Sequence, residues 1–176
     1  MSEHQNPTHS VELLRTATNR YVARNADGAE VAFGRGEGLL SPVELLLAAI
    51  AGCSAIDVDT VTSRSTEPTG FRIGASGRKI TEDSGGSRLA DVNLSFHLAF
   101  PDDEGGRKAA GLVDRLVRLS HDKYCTVSRT VEHATPVEFE TEVRVGGARL
   151  QQIGDVAAHV HHGMFPQCGG AGLLRP

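Results

Sequence analysis

Cys53 and Cys125 are the residues of this sequence best suited to covalent chemistry. A cysteine thiolate is a nucleophile, and its sulfur can be oxidised and then reduced again. The sequence has 3 cysteines, an odd number that argues against a framework of structural disulfides and favours thiols that are buried, reactive or both. Taken singly, each position is also typical of a cysteine that packs as a small apolar core residue.

The segment around Cys53 predicts a long apolar helix. Ser41 is a suitable N-cap, Pro42 suits the first helical position, and Glu44 lies where it can complete a capping box. The predicted helix runs from Pro42 to about Ser63. Residues 45–56 are apolar or small on every face, so we expect other elements to cover this helix all round.

The remaining pattern predicts an α/β fold of the α+β kind, with antiparallel sheets and two helices. One hairpin precedes the apolar helix, a second follows it, and Cys125 ends the second helix. We assign residues 1–10 to a polar segment, 11–146 to the domain and 147–176 to a tail. The predicted strands are 11–24, 29–33, 71–80, 89–100 and 137–145, and the predicted second helix is 107–120.

Two motifs together resemble a known family. Ser-Pro-x-Glu-Leu-Leu-Leu-Ala-Ala-x-Ala-Gly-Cys ends at Cys53, and Lys-Tyr-Cys-x-Val-Ser contains Cys125. The pair resembles the OsmC/Ohr family, whose members are organic hydroperoxide reductases and their osmotically inducible relatives. The resemblance extends over residues 11–145. It implies the OsmC-like fold, in which the central apolar helix carries Cys53 and two chains form an intertwined homodimer.

The resemblance also implies a role for each residue of the site. Cys53 would be the peroxidatic cysteine and Cys125 the resolving cysteine, and this chemistry needs no cofactor. A thiolate within an apolar helix requires a nearby cation. The arginine that supplies it in the family corresponds best to Arg20, with Arg15 and Arg24 of the same hairpin as alternatives.

Glu44 resembles the acidic residue that pairs with this arginine in the family, but its position differs. In the peroxidase members the glutamate usually follows the proline directly, whereas Val43 takes that place here. The predicted capping box also gives Glu44 a structural role. This shift favours the less well understood OsmC-like branch of the family.

Composition and charge argue against several classes of protein. The formal net charge is -4, the sequence pI is about 6.0, and scattered Lys and Arg do not suit a nucleic-acid partner. Residues 1–10 lack an apolar signal core, and the apolar run 45–56 is shorter than the ~18 residues of a membrane span. We therefore expect a cytoplasmic protein without a membrane partner. Phosphate-loop sequences are absent, so a nucleotide cofactor is not expected.

The expected function is a thiol-dependent peroxidase that reduces a small organic hydroperoxide and is regenerated by a cellular dithiol. The alternative is a non-catalytic module that binds an apolar small molecule between protomers or senses redox state. A third interpretation is a metal site in the tail, formed by His159, His161, His162 and Cys168. We do not expect a metal, because adjacent histidines cannot easily aim at one ion and no second pair of cysteines is present.

Overall fold

The computed structural model describes residues 8–133, 135–141 and 143. These residues form two antiparallel sheets and a helical region, which confirms the predicted α+β class. The first sheet has the strand order β1-β2-β3, and the second pairs β4 with β5. In chain order the elements are β1 (Val11–Ala17), β2 (Arg20–Asn25), β3 (Glu30–Gly34), α1 (Pro42–Thr62), β4 (Gly70–Thr81), β5 (Ser87–Ala99), α2 (Glu104–Ala110), α3 (Val113–Leu119), a π-helical turn (Ser120–Tyr124) and α4 (Thr126–Glu132).

The first sheet differs from the predicted hairpin in its number of strands. Residues 11–24 form two strands rather than one, because the chain reverses at Thr18 and Asn19. Asn19 adopts a φ of 59°, a left-handed conformation that asparagine tolerates better than most residues. Gly34 faces this turn so closely that a β-carbon on it would be 2.2 Å from the carbonyl oxygen of Asn19. Glycine at position 34 is what allows the turn to pack there.

The first sheet has an apolar face that the single chain leaves partly open. The strand register places Val11, Leu13, Tyr21, Val31 and Phe33 on this face. Phe33 is buried and its ring stacks on that of Tyr21, with the ring centroids 5.8 Å apart. Val11 and Leu13 remain 64% and 55% exposed. Contiguous exposed apolar side chains are typical of an interaction surface.

Helix α1 begins as predicted, with a complete capping box. The amide of Glu44 donates to Ser41 Oγ at 3.3 Å, and the amide of Ser41 donates to Glu44 Oε2 at 2.7 Å. The helix ends at Thr62, close to the predicted end. The single chain alone does not cover the helix all round, since Ile56 is 67% exposed, so full coverage of α1 stays a prediction that involves a second copy. The buried positions form one stripe, Ile50, Ser54, Val58 and Thr62.

Helix α1 is also long and apolar enough to cross a membrane by length and composition. It has 21 residues and a mean hydropathy of 1.6 over an 18-residue window. The apolar part of the helix is therefore longer than the apolar run 45–56 identified from the sequence. The core helix of a soluble protein has the same properties. Here α1 packs against β4, α3, the π-helical turn and α4.

The second sheet is the predicted hairpin. Phe71 pairs with Leu98, and Ile73 pairs with Phe96, which puts these side chains on one face. Each of the four is partly buried, while the residues between them are exposed. This alternation agrees with the strand predicted over residues 89–100, and β4 lies against α1.

The predicted second helix is wrong in extent, because the chain forms several short pieces there. The helical region starts early at Glu104, since Asp103 caps it by accepting from the amide of Gly106 at 2.7 Å. It is interrupted after Ala110 at Gly111, a residue with low helix propensity. Cys125 ends this region as predicted, because it is the C-cap of the π-helical turn that continues α3, and it is at the same time the N-cap of α4.

The predicted last strand, 137–145, is not formed in residues 137–141 and 143, the part of it that the structure describes. Its alternating apolar side chains, Val137, Phe139 and Val143, are 91%, 90% and 79% exposed. A strand needs a neighbouring edge to pair with, and among the described residues this segment pairs with neither sheet. The tail and its His159, His161, His162 and Cys168 lie outside the described residues.

Candidate thiol site

Cys53 lies in the middle of α1, next to the buried stripe of that helix. Its side chain is partly exposed, whereas its neighbour Ser54 is buried. A small molecule could therefore reach the sulfur of Cys53 from solvent. The backbone amide of Val127, in the first turn of α4, faces this sulfur and acts to lower the pKa of Cys53.

Cys125 is fully buried, with 0% of its surface exposed. Its sulfur accepts from the amide of Ser128 at 3.4 Å and lies 3.1 Å from the hydroxyl oxygen of Ser128. Ser54 adds a side-chain hydrogen bond from α1, and the carbonyl oxygen of Ile50 is 4.0 Å away. Several donors thus converge on the Cys125 sulfur.

The two thiols lie next to each other and perturb each other's ionisation. Burial raises the pKa of the Cys53 thiol; the amide of Val127 lowers it, while a hydrogen bond and charge repulsion from Cys125 raise it further. Burial also acts to raise the pKa of Cys125, but the combined hydrogen bonds from Ser128, Ser54 and Cys53 outweigh it and lower that pKa. The hydrogen bonds thus favour ionisation of Cys125 over that of Cys53.

Asp57 and Ser120 adjoin this pair. Asp57 lies one helical turn after Cys53 on α1. Its negative charge also raises the pKa of Cys53, by less than burial and Cys125 do. The hydroxyl of Ser120 donates to Asp57 Oδ2 at 2.6 Å. The carbonyl oxygen of Ser120 accepts from the amide of Cys125 at 2.8 Å. A continuous set of hydrogen bonds thus runs from α1 to the residue that carries the second thiol.

The single chain does not bring the predicted arginines to Cys53. The guanidinium of Arg20 lies against Gly36, where a β-carbon would be 2.7 Å from Nη2. Arg24 forms an ion pair with Glu30, and Arg15 Nη2 donates to Thr18 Oγ1 at 3.1 Å. Arg20 is thus the one of the three that has no hydrogen bond or ion pair among the described residues. Its proposed role at Cys53 stays a prediction.

Glu44 is engaged in the capping box. Hydrogen bonds from the backbone and side chain of Ser41 lower the pKa of its carboxyl group. Glu44 is exposed, and the contacts found for it are the two with Ser41. The structure therefore gives Glu44 a capping role, and its catalytic role stays a prediction.

A cavity of about 290 Å³ adjoins the buried thiol. Three of its lining residues, Ile50, Ser54 and Ser128, also contact Cys125. Most of the other walls are apolar, while His121 and Glu132 are charged or titratable and approach each other at 3.6 Å. The remaining lining residues are Val92, Asn93, Leu94, Phe96, Val117 and Val131.

Comparison with known proteins identifies the family. Residues 34–140 match the family described as OsmC-like protein, and this range includes α1 and both thiols. This chain belongs to the OsmC-like family. The predicted family is therefore confirmed, and the site described above is that of an OsmC-like protein.

The OsmC-like relatives include proteins described as uncharacterized. Rv2923c of Mycobacterium tuberculosis is 28% identical over 135 residues, which cover 72% of this chain and 90% of that protein. YhfA of Escherichia coli K12 is 26% identical over 127 residues, which cover 70% of this chain and 89% of that protein. The similarity thus extends over nearly the whole length of both relatives.

Solved structures share the OsmC-like fold. A hypothetical protein of Aquifex aeolicus VF5 has a TM-score of 0.57 at 24% identity, covering 74% of this chain and 91% of its own. An OsmC-like protein of unknown function from Vibrio cholerae has a TM-score of 0.56 at 13% identity, covering 72% of this chain and 95% of its own. At these identities the likeness establishes the fold alone.

Sequence reasoning missed four polar residues of this OsmC-like site. Ser54 directly follows the first quoted motif and Ser128 ends the second, yet we assigned them no role. Asp57 could have been found from its spacing, since residues four apart share a helix face. Ser120 has no such signal, because its bond to Asp57 spans 63 positions of the chain.

Proposed function

We propose that this OsmC-like protein is a thiol peroxidase that reduces small organic hydroperoxides to alcohols. The observation that carries the proposal is the pairing of one accessible thiol, Cys53, with one fully buried thiol, Cys125. A peroxide needs an accessible sulfur for its first attack, and the resulting sulfenic acid needs a second thiol close by. The family resemblance described above assigns the same two roles.

The proposed reaction has three steps. The sulfur of Cys53 attacks the distal oxygen of the hydroperoxide, the O–O bond breaks, and the leaving alkoxide takes the thiol proton to become the alcohol. Cys125 then loses its proton and its thiolate attacks the sulfenic sulfur of Cys53, and the hydroxide that leaves takes up that proton to become water. A dithiol finally reduces the Cys53–Cys125 disulfide by two exchange steps and is itself oxidised to a disulfide.

The hydrogen bonds around Cys125 suit a resolving role. Its sulfur accepts from Ser128 and Ser54, which favours the thiolate that attacks in the second step. Because Cys125 is buried, peroxide cannot readily reach it and over-oxidise it. The first step requires Cys53 to lose its proton, and Arg20 remains the proposed cation for this purpose.

We also propose that the working unit is a homodimer. Apolar side chains remain exposed on β1, on α1 and in the segment after α4, with Leu13, Ile56 and Phe139 as examples. A second copy could cover these surfaces and offer a strand edge to the segment after α4. The first sheet packs chiefly on itself, so it is free to contact another chain.

The decisive experiment is peroxidase turnover with cumene hydroperoxide and a dithiol, using the full chain. We expect alcohol production that is lost in Cys53→Ser and in Cys125→Ser. After one equivalent of peroxide without reductant, peptide mapping should show Cys53 linked to Cys125, with Cys168 free. In Cys125→Ser the Cys53 sulfur should instead accumulate as sulfenic or sulfinic acid. If both thiols stay reduced while peroxide persists, the proposal is rejected.

A non-catalytic binding module is the second candidate, and the cavity next to Cys125 favours it. Its apolar walls suit an apolar small molecule, and its volume is close to the lower end of ligand pockets. This function predicts stoichiometric binding of an apolar fluorescent probe without consumption of peroxide. Probe binding that leaves peroxide intact would support the module, whereas turnover blocked by the probe would support the peroxidase.

A further inference from the structure

Asp57 and Ser120 form a hydrogen bond that joins the two thiol-bearing segments. The hydroxyl of Ser120 donates to Asp57 Oδ2 at 2.6 Å. Ser120 is 1% exposed, so water hardly competes for its hydroxyl group. Short bonds from a hydroxyl to a carboxylate belong to the stronger, charge-assisted class. This bond therefore ties α1 firmly to the start of the π-helical turn.

Each end of this bond leads to one of the thiols. Asp57 shares a face of α1 with Cys53, one turn away. The carbonyl oxygen of Ser120 accepts a hydrogen bond from the amide of Cys125 at 2.8 Å. This bond from residue i to residue i−5 closes the π-helical turn. The amide of Ser120 itself donates back to Leu116 and Val117 of α3. The position of Cys125 thus depends on Ser120, and that of Ser120 relative to α1 depends on Asp57.

We propose that Asp57 and Ser120 are positioning residues, which hold the π-helical turn so that Cys125 lies beside Cys53 for disulfide closure. The proposal rests on the thiol-pair function proposed above. Single π-helical turns are uncommon and occur frequently at functional sites. Without the Asp57–Ser120 bond, the turn loses its side-chain link to α1, and the Cys125 sulfur samples positions farther from Cys53.

The test measures closure of the Cys53–Cys125 disulfide by diamide, an oxidant that joins dithiols without any peroxide. Asp57→Ala and Ser120→Ala should each slow closure by at least about tenfold, as expected for the loss of a hydrogen bond to a charged group. The double variant should be no slower than the slower single variant, because both substitutions remove the same bond. Unfolding midpoints in urea show whether each variant is folded.

A second readout separates positioning from general loss of structure. The titratable groups that face Cys53 are Asp57 on its own helix and Cys125 across from it. Asp57→Asn keeps an oxygen that can accept from Ser120 but removes the charge. Closure should slow less than in Asp57→Ala, and the alkylation profile of Cys53 should move to lower pH.

Asp59 provides a matched control on the same helix. Its Oδ1 accepts from the hydroxyl of Ser63 at 2.9 Å, an aspartate–serine bond without contact to the thiols. The Asp59→Ala variant should therefore form the Cys53–Cys125 disulfide at the wild-type rate. Wild-type closure in both Asp57→Ala and Ser120→Ala, or additive slowing in the double variant, would overturn the proposal.

The same data separate this proposal from the peroxidase function. If cumene hydroperoxide is not consumed but the variants slow closure by diamide, the positioning role stands and the peroxidase function is rejected. If peroxide is consumed and the variants close normally, the peroxidase stands and the positioning role is rejected.

Discussion

At the scale of single residues, the two thiols differ in exposure and in hydrogen bonding. Cys53 is accessible and burial raises its pKa, whereas Cys125 is enclosed and its hydrogen-bond donors lower its pKa. A pKa difference of one unit corresponds to about 1.4 kcal/mol between protonation states. Small changes around either sulfur should therefore change the thiolate fraction of that cysteine severalfold.

Removal of Cys125 should increase the reactivity of Cys53 towards alkylation. Cys125→Ser removes the charge repulsion and the thiol–thiol hydrogen bond that raise the pKa of Cys53. A lower pKa means more thiolate at a given pH, so the profile of alkylation rate should move to lower pH. Iodoacetamide labelling followed by mass spectrometry measures the alkylation rate of Cys53 as a function of pH. The Cys125→Ser variant and its reference protein both carry Cys168→Ser. An alkylation profile that stays in place or moves to higher pH contradicts the conclusion that Cys125 raises the pKa of Cys53.

Removal of Arg20 should have the opposite effect. A cation ~4 Å away at an effective dielectric near 20 contributes about 4 kcal/mol, more than the roughly 2.7 kcal/mol that a shift of ~2 pKa units requires. Arg20→Ala should therefore raise the pKa of Cys53 and slow its alkylation at neutral pH. Arg15→Ala, on β1, and Arg24→Ala, on β2 with Arg20, are matched controls, and Cys53 should be alkylated in both as in the wild type. Unchanged kinetics in Arg20→Ala would reject its assignment.

At the scale of elements, the start of α1 combines a structural role with a proposed catalytic one. Ser41→Ala removes the N-cap side chain and should lower the free energy of unfolding by about 1 kcal/mol. Glu44→Gln can still reach the amide of Ser41 and should cost less stability. Urea unfolding and peroxide turnover, measured side by side, separate the two roles of Glu44. If Glu44 only caps the helix, turnover in both variants should follow stability; a selective loss in Glu44→Gln supports catalysis.

At the scale of the whole molecule, exposed apolar surface calls for a second copy. We expect a dimer by light scattering at micromolar concentration, with an interface that includes α1. Ile56→Glu should weaken or abolish the dimer, because it places a charge where an apolar side chain is 67% exposed in the single chain. Ser76→Glu, on the exposed side of β4, is the control and should remain dimeric. A monodisperse wild-type monomer contradicts this prediction.

The sequence by itself determined the features that depend on local chemistry. Ser41, Pro42 and Glu44 predicted the start of α1, because a helix N-terminus is recognised by its own side chains. Alternation predicted β5, and two short motifs identified the family through both thiols. These signals lie within a few residues of one another, so they require no knowledge of the fold.

Only the tertiary structure decided how the thiols are held. The Asn19 turn and the break at Gly111 are weak local signals. The π-helical turn makes Cys125 both the end of one helical segment and the beginning of α4. The bond between Ser120 and Asp57 joins residues 63 positions apart. A pairing over that distance depends on how α1 and the helical region pack, and packing is a property of the whole chain that no single sequence window contains.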